Sequence, residues 1–292
     1  MIKIILIIMA VFILYCMIET ARELRNFHVT EYRVCAKEFR KNKCTKKIIF
    51  LSDLHNRMYG EKNERLLESI RNRQPDLILI GGDMLVRKDG NSYDETVRFL
   101  TKLPEICPVY CANGNHEQKL KELPEKYEQS YEDYKKALTA SGIHMLENAS
   151  ETVKLDGVPV KISGLEIPLR AYARFGKKEL LLNEITDRIG EHGEEYQILL
   201  AHHPGYIQEY LEYGADLILS GHYHGGVMQL PGIGGVISPD FTLFPKYSGG
   251  IYREGAQTVV VSRGLGTHSV PVRLWNWPEL IVLELSGTSE EM

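Results

Sequence analysis

The chain opens on an unbroken apolar run, IILIIMAVFILYCMI at 4–18, and then changes to short apolar bursts separated by charged stretches. The bursts read as buried strands: KIIFLS (47–52), PDLILI (75–80), PVYCA (108–112), YQILLA (196–201), ADLILS (215–220), TVVVS (258–262) and ELIVLEL (279–285). Shorter strands are expected at 144–147, 151–155 and 159–163. Leu66, Leu67 and Ile70 recur at helical spacing within 61–73. Further helices are expected at 94–103, 123–140 and 177–189. Strands alternating with helices mark an α/β layered domain. The glycine-rich stretch 225–250 is the longest irregular piece, and long loops of this kind often carry function.

The leader has three readings: membrane anchor, cleaved signal and buried core helix. As a helix, Ile2 to Ile18 spans about 25 Å, slightly short of the roughly 30 Å hydrocarbon layer. It lacks the polar stripe of a soluble core helix. The following ETARELR offers no A-x-A processing site, and Leu14-Tyr15 before Cys16 is too bulky for lipoprotein processing. The expected organisation is therefore an uncleaved transmembrane anchor over 1–20, a basic juxtamembrane linker over 21–46, and a catalytic domain over 47–287.

Orientation stays open, with the protein expected as a single-pass protein of the cell membrane. Arg22, Arg25, Arg33, Lys37 and Arg40 follow the span and place the body in the cytoplasm by the positive-inside rule, but four glutamates are interspersed among them. The basic stretch Arg40, Lys41, Lys43, Lys46, Lys47 reads either as a contact with anionic headgroups or as a solvated linker. Trp275 and Trp277 likewise read as core packing first and lipid contact second.

Composition narrows the class. A net charge of −4 over 292 residues lacks the basic excess of a nucleic-acid-coating protein. The five cysteines are odd in number and contain no CxxC, so no disulfide framework is expected. Cys107 and Cys111 sit at the two ends of one strand, too far apart to bridge.

The chemistry lies at the strand ends. Five apolar strands run into SDLH, GGD, NGNH, AHHP and GHYHGG, each delivering Asp, Asn or His at its C-terminal tip. In open α/β sheets that edge binds ligands. One such tip would be an ordinary turn, since Asp and Asn favour turns. Five in succession are not explained that way. Mixed imidazole and carboxylate without thiolate suits Mn²⁺, Fe or Zn²⁺. The donors are too many for one ion and fit two, which together clamp a phosphoryl group and lower the pKa of a bridging water. In an extended chain the two donors of D-x-H point to the same side and reach one ion.

The motifs D-x-H, GGD, GNH, H and GHxH, in this order and each after a strand, resemble those of the calcineurin-like metallophosphoesterases over residues 48–285. GHYHGG, the nearby LP, RGLG, PVR and PEL are similar to the bacterial YkuE-type branch, membrane-associated or exported phosphodiesterases. The resemblance implies two stacked mixed sheets flanked by helices, hence a four-layer sandwich, here behind a transmembrane helix. It implies that Asp53, His55 and His224 ligate one metal, that Asn115, His202 and His222 ligate the other, and that Asp83 bridges them. Two divalent ions, first Mn²⁺, then Fe or Zn²⁺, follow as cofactors. His116 becomes the proton donor, or else a support for a ligand. His202 is favoured over His203.

Weaker candidates are Arg57 and Arg263, as substrate-phosphate contacts, and His268 in the C-terminal loop. Glu166 lies where many relatives carry aspartates. The expected activity is hydrolysis of a phosphate ester, most simply a diester, by metal-bound hydroxide, on a substrate that the tether allows to be lipid-linked. Competing readings are a non-catalytic metal-binding scaffold at the membrane, which would have lost a ligand or the His after GN, and a phosphomonoesterase or nuclease. A dedicated nucleic-acid groove is not expected.

Overall fold

The computed structural model describes residues 1–41, 45–86, 92–128, 130–173, 179–267 and 271–287. Two six-stranded sheets form its centre. The first runs in the order β1 (His28–Cys35), β14 (Glu279–Ser286), β2 (Lys46–Leu51), β3 (Leu77–Ile80), β4 (Val109–Cys111), β5 (His144–Met145). The second runs β12 (Gly250–Glu254), β13 (Gln257–Val261), β9 (Leu217–Ser220), β8 (Tyr196–Ala201), β7 (Val158–Leu165), β6 (Ala149–Leu155). A small ribbon pairs β10 (Gln229–Leu230) with β11 (Gly234–Gly235).

The helices are α1 (Ile2–Arg25), α2 (Glu64–Arg73), α3 (Asp94–Leu100), α4 (Asn115–Glu122), α5 (Tyr131–Ala140), α6 (Leu182–Ile189) and α7 (Ile207–Tyr213). Strand alternation sorts the side chains into layers. Ile49, Leu51, Ile78 and Ile80 pack under Leu66, Ile70, Phe99 and Leu138 of the helices. Their neighbours Ile48, Phe50, Leu77 and Leu79 face the second sheet and meet Ile162, Ile198, Leu200 and Leu219. The outer face of that sheet, with Leu199 and Ile218, is covered by Ile185, Tyr210 and Tyr213. The expected four-layer sandwich is the fold observed. Strands buried on both faces show the near-continuous apolar runs that made them readable.

The helix expected at 123–140 begins only at Tyr131, α4 and α7 were not expected, and two N-terminal segments also differ from expectation. The apolar helix does not end near residue 20 but continues to Arg25, and the stretch expected as a linker holds β1, paired in parallel with β14 along its full length. The charges that suggested a linker belong to an edge strand: Arg33 is exposed, and Glu31 meets Arg73 at 2.8 Å. The basic stretch is also committed within the protein. Lys46 pairs with Asp76 and Asp156 at 2.9 Å each, and Arg40 donates to the Gly287 carbonyl. Lys43 lies outside the described residues, as does His268. Cys107 and Cys111 are both free thiols.

The register orients the domain. β2 is antiparallel to β14, with Phe50 opposite Ile281 and Lys46 opposite Leu285, while β1 places His28 opposite Glu279. His28, Glu279 and the C-terminal tip of β2 therefore share one end of the sheet, the end at which α1 joins. Lys46 and Cys35 lie at the opposite end.

Candidate metal centre

Five strand tips from the two sheets converge here. The tip of β2 is tied to that of β3 by the Asp53 N–H on the Gly82 carbonyl and the His55 N–H on the Asp83 carbonyl. Across the sheets, the His222 N–H donates to Asp53 Oδ1 at 3.0 Å, and within the second sheet the Gly221 N–H donates to the His202 carbonyl. These contacts require backbone to run against side chain. A Cβ on Gly114 would collide with Asp83, and one on Gly221 with Ser52 and Asp53.

Asp53, His55, Asp83, Asn115, His116, His202, His222 and His224 are all buried at this junction. Two triads have donor atoms within 4.8 Å of one another, Asp53/His55/His224 and Asp83/His202/His222; a third grouping joins His55, Asp83 and His116. His224 Nε2 stands 3.3 Å from Asp53 Oδ1 and 3.1 Å from His55 Nε2. His202 Nε2 stands 3.1 Å from Asp83 Oδ2, and His55 Nε2 lies 3.8 Å from that same oxygen. Asp83 thus faces both halves of the cluster. Its other oxygen accepts the His116 N–H at 2.8 Å. Asn115 and His116 open α4, where Asn115 Oδ1 is buried without a hydrogen bond; so is His222 Nδ1.

The D-x-H motif reaches this geometry by a route its spacing did not suggest. Asp53 (φ 54°) and His55 (φ 49°) are not extended but left-handed, as are Asp83, His222 and His224 (φ 52°, 64° and 50°). Non-glycine residues rarely take this conformation, and its concentration at one junction is backbone strain held by the surrounding packing.

The electrostatics follow from burial and from the neighbouring charges. Burial opposes charge on Asp53 and Asp83, yet the adjacent imidazoles overrule it and hold both well below the usual carboxylate range. Burial also opposes charge on His202, but Asp83 and Asp53 push it up to about 10. His222 is held well below its ordinary value by burial and then by His203 and His202, leaving a neutral imidazole. His202 Nδ1 lies 2.8 Å from the Gly81 carbonyl, which orients Nε2 into the cluster. Nitrogen and oxygen donors crowded in this way are a suitable cage for divalent cations.

His203 turns aside: its Nδ1 accepts the Gly205 N–H at 3.0 Å. Neither arginine joins the cluster. Arg57 donates to the Leu24 carbonyl at the end of α1. Arg263 lines a separate cavity of about 470 Å³ with Gln229, Lys246 and Trp275, to which none of the seven candidate ligands contributes. Glu166 is held by Asn113 and Lys121.

Residues 46–226 match the profile of one family, described as calcineurin-like phosphoesterase. The chain belongs to that family. It is a phosphoesterase hydrolase with candidate divalent-metal ligands. It is 31% identical over 247 residues to the metallophosphoesterase YkuE of Bacillus subtilis, covering 83% of this chain and 80% of that protein. It is 26% identical over 253 residues to the phosphodiesterase YaeI of Escherichia coli, covering 85% of this chain and 84% of that one. YkoQ of Bacillus subtilis is 25% identical over 236 residues, covering 80% and 81%. These homologues support the YkuE-type branch.

Three residues around the phosphoesterase site were not singled out from the sequence. Glu117 accepts the backbone N–H groups of Asp83, Leu85 and Gly114 at 2.8–3.0 Å and so clamps the GGD and GNH tips together. Asn276 donates its amide to the carbonyls of His224 and Gly226. Arg273, fully buried, donates to the carbonyls of Arg263, Gly264, Gly266 and Asn276, holding the C-terminal loops over Asp53. The available signal was an acid directly after GNH, and an Asn and an Arg within the branch-like tail.

Proposed function

We propose that this phosphoesterase hydrolyses a phosphodiester using two divalent ions, with α1 retained as a membrane anchor. The observation that carries the reading is Asp83, whose carboxylate faces both halves of the ligand cluster. The residues fit a paired centre: Asn115 Oδ1 and His222 Nδ1 are buried acceptors or donors without a protein partner, and the donor set holds no thiolate. Asp53, His55 and His224 would hold one ion, and Asn115, His202 and His222 the second, with Asp83 between them. Mn²⁺ is the ion assigned first, and Fe and Zn²⁺ suit the same donors. When bound, the pair neutralises phosphoryl charge and supplies a nucleophile from water near neutral pH.

The protein's own groups do the rest. Asp83 orients His116 through the His116 N–H, bringing the imidazole beside that of His55, with ring centres 4.8 Å apart. His116 gives a proton to the departing oxygen. Asn115 adds a neutral oxygen, so an anionic ester is not repelled. Burial of the whole junction strengthens each of these interactions relative to water.

Retention of α1 is supported by its base. Glu19 and Glu23 are buried, Thr20 donates to the Arg273 carbonyl, and Glu23 accepts the Asn276 N–H. A leader removed on export would not carry contacts that steady a loop of the catalytic site. The apolar part of α1 is exposed along nearly its whole length and suits a bilayer. The tether favours a lipid-linked phosphodiester, and YaeI is itself named a phosphodiesterase.

The test uses the full chain in detergent, loaded with Mn²⁺, on bis-p-nitrophenyl phosphate and on p-nitrophenyl phosphate. Faster turnover of the diester is expected. Faster turnover of the monoester would overturn the diester assignment, and no turnover of either with metal bound would overturn the enzyme reading.

A further inference from the structure

The end of the domain that carries the metal centre is also the end from which α1 departs. The tips of β2, β3 and β4 hold Asp53, Asp83 and Asn115, and the register places His28, three residues after α1, at that same end. The link is direct: Glu23 of α1 accepts the Asn276 N–H, and Asn276 in turn holds the His224 carbonyl. Higher on the helix, Tyr15 meets the Trp275 indole N–H at 3.2 Å.

From Trp275 outwards runs an apolar surface. Outside α1, and among the described residues, exposed large apolar side chains include Val227, Ile233, Phe241, Leu243, Phe244 and Trp275. Ile233 and Leu243 are each 64% exposed. All but Trp275 belong to the excursion that follows the GHxH ligands, and backbone pairing of Gln229 with Leu274 joins that excursion to Trp275. The two remaining such residues, Leu181 and Leu182, begin α6, which returns the chain from the tip of β7 towards the start of β8 and so starts at the same end. Phe241, Phe244 and Trp275 are held at φ 63°, 48° and 54°, a conformation that costs bulky residues most. The opposite end carries Lys46, Asp76 and Asp156, a solvent-type ion-pair set.

We propose that the surface formed by residues 227–244 and Trp275 seats on the lipid bilayer, so that the metal centre faces the membrane rather than standing away from it on a linker. This rests on the reading of α1 as an anchor. The occupant is lipid because the surface is continuous, through Trp275 and Tyr15, with a helix whose apolar length is exposed. Aromatic residues at this depth are the usual furniture of a membrane–water boundary, and apolar side chains that dip into it add to binding. Arg263, on the wall of the cavity beside Trp275, would then lie at headgroup level, whereas Lys246 of the same wall is paired with Glu254 at 2.8 Å. The basic stretch around Lys46 points away from the lipid.

The test places a new tryptophan on the full chain and reconstitutes it in phosphatidylcholine–phosphatidylglycerol vesicles with and without brominated acyl chains, which quench indole on contact. Phe244→Trp and Ile233→Trp report from the surface. Ala256→Trp, in the β12–β13 turn at the opposite end, is the control. The added emission of the first two is expected to fall about two-fold or more in brominated vesicles, as for side chains buried in the acyl boundary, while that of the control is unchanged. Vesicle flotation is read in parallel. A chain that floats with its vesicles but keeps the Phe244→Trp and Ile233→Trp emission has this face in water or against another protein, and the proposal falls alone. A chain that does not float removes the anchor and the proposal together, while leaving metal-dependent turnover untouched.

Discussion

The carboxylate of Glu117 accepts the backbone N–H of Asp83 at 2.8 Å, although neither side chain is a surface group and burial, with the charge of Asp83, raises the Glu117 pKa. A second oxygen bond to Leu85 and a third to Gly114 make it the clamp between two ligand-bearing tips. Glu117→Gln keeps the shape but turns an N–H₂ towards a backbone N–H. The expected cost is about 2 kcal/mol of stability, with weaker retention of metal. Denaturant unfolding and metal analysis of the purified variant check both, and an unchanged midpoint would remove the clamp.

His116 is placed by its backbone N–H on Asp83 and brings an imidazole to the cluster without being needed for either triad. His116→Ala is expected to lower kcat by about 10²–10⁴ while both ions stay bound. Metal content beside steady-state kinetics separates this from a ligand role: loss of one equivalent would make His116 a ligand.

Arg57 donates to the end of α1, and we predict that it supports that helix rather than substrate. Arg57→Ala should therefore leave KM within about two-fold of the parent and lower stability by less than about 1 kcal/mol. A large rise in KM with unchanged kcat would return Arg57 to the phosphate.

Glu147 sits between Lys121 at 2.9 Å and Lys135 at 2.7 Å. Burial alone would raise its pKa, but the two ammonium groups overrule burial and hold it below the usual carboxylate value. A carboxylate depressed in the folded state adds stability that is present above its unfolded pKa and is lost as pH falls through the folded one. Between about pH 5 and pH 2 the parent should lose stability more steeply than Glu147→Gln. Parallel slopes in thermal unfolding would contradict the ion-pair assignment.

The two sheets were legible because strands buried on both faces carry continuous apolar runs, and the site was legible because ligand types recur at their tips. β1 was not, because an edge strand alternates charge with apolar residues and its partner β14 lies at the far end of the chain. Leaving it out of an expected domain starting at 47 would remove a strand of the first sheet, which is why each test above uses the full chain. Nor did D-x-H announce left-handed backbone at Asp53 and His55. That conformation is imposed by crossing tips, not by local preference. Glu117 was hidden differently: an acid in the first turn of a helix is ordinary, and only the fold brings the β3 tip to it.

The central claim is a pair of ions sharing Asp83, and electron paramagnetic resonance of the full chain titrated with Mn²⁺ tests it most directly. Two equivalents should bind and give the spectrum of a spin-coupled pair, which Asp83→Asn should convert to that of isolated ions or a single equivalent. Two magnetically independent ions in the parent, or one equivalent only, would contradict it.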